Sequence, residues 1–188
     1  MKMESIRKHL QPYSIAKRRI TTINHAFASA IAPSEAYDPM RTARAIKDLG
    51  QNPDEELNCV YCGRRAETWD HVYGLVRLKQ YSGYGHTLGN LGPCCSKCNS
   101  RKGGKEWTVF IQGMIKDKAE LQKRITVMRS YFRKRSPQLV SLSQIEKLCP
   151  HEMSHMRTLQ RRIISSMEEA DEIAARMREK IGRRLPDG

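Results

Sequence analysis

The chain has 188 residues, enough for one compact domain or for a small core with helical flanks, so size alone demands no staple. Its 34 Lys and Arg outweigh 20 Asp and Glu by 14 charges, which points to a polyanionic partner or, more simply, to a basic solvated surface. No run approaches the roughly 18 apolar residues of a membrane span and no signal-peptide core opens the chain, which excludes membrane-spanning readings and leaves the cytoplasm as the expected compartment.

Residues 1–55 read as a helical N-terminal region in pieces separated by Pro12, Pro33, Pro39 and Pro53. One piece is fully punctuated: Asp38 can cap, Pro39 suits the first turn, Ala43, Ile46 and Leu49 recur at helical spacing, and Gly50 ends it. Residues 56–107 change character, holding five of the six cysteines and eight of the twelve glycines, a density of breakers that suits a loop-rich module held by a metal. Residues 108–188 form a helical C-terminal region. From Trp107 to Arg135 the apolar spacing predicts one helix or two, with Gly113 and Asp117 as the interruptions. A short helix near 141–148 and a last one over 152–181 follow. On the latter, Ile163, Met167, Ala170, Ala174, Met177 and Ile181 repeat at heptad-like spacing, a stripe suited to intramolecular packing or to a dimer seam. The expected fold class is α+β, mostly helical, with a small metal-stapled core.

Four of the cysteines form two Cys-x-x-Cys pairs, Cys59/Cys62 and Cys95/Cys98. In a reducing compartment such pairs read as two knuckles closing one four-thiolate zinc site, with no position open for catalysis. Cys94 could replace Cys95 with altered spacing and is taken as the spare.

Between the pairs stand Thr68-Trp69-Asp70-His71-Val72, a Gly-rich loop and Asn90-Leu91-Gly92-Pro93, and then comes Cys98-Asn99-Ser100-Arg101-Lys102-Gly103. Over about residues 56–107 the chain resembles the zinc-bearing members of the HNH (ββα-metal) endonucleases: an Asp-His on a first strand, an Asn before the second knuckle, and an Asn directly after the last cysteine at a helix start. The resemblance implies that Asp70 and Asn99 hold magnesium or manganese through oxygen, that His71 is the general base, and that Asn90 braces the loop carrying His71. A carboxylate and an amide oxygen suit a hard cation that keeps several waters, and imidazole can take a proton from water near neutral pH. Arg101, Lys102 and Lys105 would face the phosphate backbone of DNA from the helix after Asn99. His86 reads as a residue that orders its own loop.

His151-Glu152-Met153-Ser154-His155 also fits the His-Glu-x-x-His pattern of zinc proteases, but Pro150 puts it in a first helical turn, and coincidence is the better reading. The leading expectation is thus a metal-dependent DNA endonuclease acting in restriction, phage defence or mobile-element spread, with a homodimer as the simplest route to a symmetric double-strand cut. The alternative is a noncatalytic zinc module that binds nucleic acid, which has no need of Asp70, His71 and Asn99 together.

Overall fold

The computed structural model describes residues 3–184 apart from Lys79 and Gln138. Helices dominate: α1 (Ile15–Ile31), α2 (Pro39–Asp48), α3 (Ser96–Lys102), α4 (Trp107–Met114), α5 (Lys118–Arg135), α6 (Leu142–Leu148) and α7 (Pro150–Gly182). Four short strands, β1 (Thr68–His71), β2 (Val76–Arg77), β3 (Gln80–Tyr81) and β4 (Leu91–Cys94), pair as two antiparallel ribbons, β1 with β4 and β2 with β3. The expected mostly helical α+β class is what the chain adopts. None of the described helices is long and apolar enough to cross a membrane.

The chain divides into two compact units, Ala28–Cys149 and a second made of the segments before Ala28 and after Cys149. In the second unit, the Asp171 carboxylate of α7 accepts from Ser14 Oγ and from the Ile15 and Ala16 amides at 2.7–3.0 Å, capping α1 from outside its own sequence. Those backbone donors hold the Asp171 pKa below the usual carboxylate value. The apolar stripe of α7 is not a buried core: Ile163, Met177 and Ile181 are exposed, and Met153 is the buried residue of the helix. Heptad spacing brings such residues to one face, but it does not supply a partner.

The larger unit is built on local signals that work as read. Asp38 Oδ1 accepts from the Arg41 amide at 2.9 Å, Pro39 opens α2, and Gly50 leaves it at φ +73°, where a Cβ would be strained. Between Trp107 and Arg135 there are two helices. Asp117 makes the break by capping α5 through the Glu120 amide, whereas Gly113 stays inside α4. Ser141 and Gln144 form a reciprocal capping box at the start of α6. The apolar faces of α2, α4 and α5 then meet the two Cys-x-x-Cys segments in one core around Leu49, Tyr61, Trp107, Ile111, Ile125, Met128 and Tyr131. Burying side chains of this size contributes about 1.5–3 kcal/mol each. Asp48, at the end of α2, ties it to α5 through Lys134 Nζ and Arg135 Nε, both at 2.9 Å.

Candidate functional site

The two knuckles converge. The sulfurs of Cys59, Cys62, Cys95 and Cys98 all lie within 4.8 Å of one another, and Cys62 Sγ is 3.7 Å from Cys95 Sγ. Four thiolates at Zn–S distances of about 2.3 Å stand roughly 3.8 Å apart around a tetrahedral ion, so this set can hold zinc with little movement. Gly63, just past the first knuckle, sits at φ +75°, and a Cβ there would come within 2.5 Å of Arg124 Nη2. Cys94 is buried beside the set with its sulfur 3.9 Å from Cys59 Sγ. The contact pulls the Cys59 pKa down and pushes that of Cys94 up. The four sulfurs that gather include that of Cys95, which makes it the candidate fourth ligand, with Cys94 beside the set.

β1 and β4 form a short antiparallel pair with Asp70 opposite Gly92 and His71 opposite Leu91, and β4 runs through Cys95 directly into α3. This ββα unit carries the second knuckle, and its geometry puts Cys98 and Asn99 side by side on α3. Gly92 has no room for a side chain, since a Cβ would press on Val60 and Val72 at 3.2 and 3.3 Å.

Asp70 is buried and already paired. Its Oδ2 accepts from Tyr61 Oη at 2.5 Å and meets Lys102 Nζ at 2.9 Å. Burial and the neighbouring carboxylate drive the Tyr61 pKa far up, so the phenol keeps its proton and donates it. Lys102 Nζ also donates to the His71 carbonyl at 3.0 Å, pinning α3 to the end of β1. The expectation that Lys102 faces solvent phosphate is thus corrected: its side chain is 0 % exposed, because it lies one turn beyond Cys98 on the buried side of α3. Arg101 and Lys105, one residue before it and three after, are exposed.

Asn90 is fully buried, and its side-chain amide makes three hydrogen bonds. Oδ1 accepts from the Tyr73 amide at 2.8 Å, and Nδ2 donates to the Tyr73 carbonyl at 2.9 Å and the Gly85 carbonyl at 3.0 Å. It fastens the segment after His71 to the loop before Asn90. Asn99 is half-buried, with its backbone in the α3 ladder.

The His71 ring touches a residue that sequence reasoning set aside. His71 Nε2 is 3.0 Å from His86 Nδ1, with the rings edge to face at 4.8 Å, and His86 Nε2 is 3.3 Å from the Ser29 carbonyl. Burial is the main reason the His71 pKa falls below the ordinary 6.5; nearby His86 and Lys102 lower it further, while Asp70 opposes them. His86 reaches this position through a parallel bridge with Ser34, in which its amide donates to the Pro33 carbonyl and its carbonyl accepts from Glu35. No spacing rule signals such a contact.

Beside the loop after His71 a cleft is lined by Tyr73, Arg77, Tyr84, Lys105 and Glu106, and the Tyr73 and Tyr84 rings stack at 4.6 Å. Among the described residues the cysteine set is the one group of three or more His, Cys, Asp or Glu side chains close enough to hold a metal; His151 and His155 are exposed on α7 with no third ligand gathered near them. Comparison with family models, with curated proteins and with solved structures returns no match.

Proposed function

We propose that the chain is a metal-dependent endonuclease that hydrolyses phosphodiester bonds in DNA. The observation that carries this reading is the ββα unit itself: one short strand pair and one helix, fastened by four cysteines, bear Asp70, His71, Asn90 and Asn99. Asn90 spends three side-chain hydrogen bonds on fixing the loop behind His71.

On this reading Asp70 and Asn99 would each offer a hard cation one oxygen. Tyr61 and Lys102 both engage Oδ2 of Asp70, so Oδ1 would be its ligand atom, with the Asn99 amide oxygen as the second. Magnesium or manganese bound there supplies charge neutralisation at the phosphate and the leaving 3′-oxygen. His71, held neutral at pH 7 by its burial, takes a proton from the attacking water. Asn90 and the Lys102–His71 carbonyl contact keep the ring in place for that transfer. Arg101 and Lys105, exposed after Asn99, and Arg77 in the adjoining cleft are positioned to meet phosphates. The products would carry 5′-phosphate and 3′-hydroxyl ends. A role in restriction or defence, and pairing of two copies on a duplex, belong to the same proposal.

One observation favours the second reading, a noncatalytic zinc module that binds nucleic acid. The Asp70 charge is already balanced by Lys102, as a purely structural carboxylate would be. Supercoiled plasmid incubated with Mg²⁺ or Mn²⁺ separates the two. The nuclease converts it to nicked and linear forms, and His71→Ala abolishes conversion while keeping zinc. Retained cutting in His71→Ala would sink the assigned base, and retarded but uncut DNA or RNA would establish the binding module.

A further inference from the structure

We propose that His86 is the positioning residue of the site: it fixes the proton of the His71 ring on Nε2 and so leaves Nδ1 as the atom that accepts a proton from water. The catalytic half of this statement rests on the nuclease reading; the hydrogen-bond half stands without it.

The argument runs from the outside inwards. A backbone carbonyl can only accept, so the 3.3 Å contact between Ser29 O and His86 Nε2 requires the proton on that nitrogen. A neutral imidazole with its proton on Nε2 has a lone pair on Nδ1. With both rings neutral, that lone pair faces His71 Nε2 at 3.0 Å, so His71 Nε2 is the donor and its own lone pair is left on Nδ1. Backbone carbonyl, His86 and His71 thus form a directed chain of two hydrogen bonds, both donated towards Ser29.

The chain is anchored at the His86 end. The amide and carbonyl of His86 are both taken by the bridge to Pro33 and Glu35. Gly85 packs so closely on this segment that a Cβ would fall 2.3 Å from the Pro33 carbonyl. The His71 end is held by its strand, by Lys102 and, through the following loop, by Asn90. A ring fixed at both ends in one tautomer presents its free nitrogen without reorganisation, the service that outer hydrogen-bond partners give to reactive histidines.

Two variants separate this role from a merely structural one. His86→Asn keeps an acceptor oxygen where Nδ1 stood, and His86→Leu keeps bulk without any acceptor. Nitrogen-15 spectra of the unaltered protein should place the His71 proton on Nε2, with a coupling through the hydrogen bond to His86 Nδ1. In plasmid cutting, His86→Leu should lose about 10- to 100-fold in kcat with KM little changed, and His86→Asn should recover most of the loss. Zinc content near one per chain in both variants certifies that they fold. The proposal is overturned if the His71 proton resides on Nδ1, if folded His86→Leu cuts as fast as the unaltered protein, or if His86→Asn is no better than His86→Leu. A protein that cuts nothing overturns the nuclease reading instead, and the spectra still decide the ring assignment.

Discussion

Lys102 Nζ and Asp70 Oδ2 meet at 2.9 Å with the lysine side chain wholly enclosed, so the ammonium reached by α3 and the carboxylate of β1 neutralise each other inside the protein. A buried pair of this kind adds little net stability over apolar residues, but removing one partner strands the other charge. Lys102→Met is therefore expected to destabilise the fold by about 3–5 kcal/mol in urea unfolding. Pairing it with Asp70→Leu should restore part of that loss. Additive losses in the double variant would mean that the two groups do not depend on each other.

The zinc ligands make a sharper prediction at adjacent residues. Cys95→Ser should lose the metal and with it the cooperative melt, whereas Cys94→Ala should keep about one zinc per chain and pay only for a small buried cavity. Elemental analysis of the two purified variants checks this, and zinc loss in Cys94→Ala would reassign the ligand.

Asn90→Ala removes three hydrogen bonds and leaves the Tyr73 amide and two carbonyls without their partner. A cost of about 3 kcal/mol is expected, and hydrogen exchange should speed up first at Tyr73. Asn90→Asp should be no milder, since a carboxylate cannot donate to the Tyr73 and Gly85 carbonyls.

Asp48 supplies a pH-dependent term. Hydrogen bonding to Lys134 is the largest of the causes that hold its pKa below the ordinary 3.8, and Arg135 assists. A folded-state pKa below the unfolded one means stability that is fully present above about pH 3.8 and lost as pH falls through the folded value. Asp48→Asn should thus cost about 1 kcal/mol at pH 7, and the difference should close in strong acid. A gap between the two melting curves that is constant with pH would refute the assignment.

Much of this architecture is legible in the chain because its causes are local. Asp38-Pro39 and Gly50 bound α2, Asp117 opens α5, and two Cys-x-x-Cys pairs announce a shared metal, each through residues a few positions apart. Lys102 was legible in principle, since it follows Cys98 by four residues and so shares its buried helix face, but a lysine in a basic run invites a surface reading. His86 was not legible: it meets His71 only because Ser34 and His86 bridge between segments far apart in sequence. The α7 stripe shows the opposite failure, a clear periodicity with exposed residues along it.

Cys98 and Asn99 are consecutive on α3, and Lys102 lies one turn further along the same helix. Occupancy of the thiolate site and the geometry of the proposed Asp70–Asn99 site would therefore be thermodynamically linked, although the two sets share no ligand atom. Zinc bound by the four cysteines would set the population of ordered α3 through mass action, each tenfold excess over the dissociation constant adding about 1.4 kcal/mol. On the proposed nuclease reading, a soft-metal chelator should then silence the chain in saturating magnesium, and zinc supply would be an upstream control on a reaction that zinc itself does not enter.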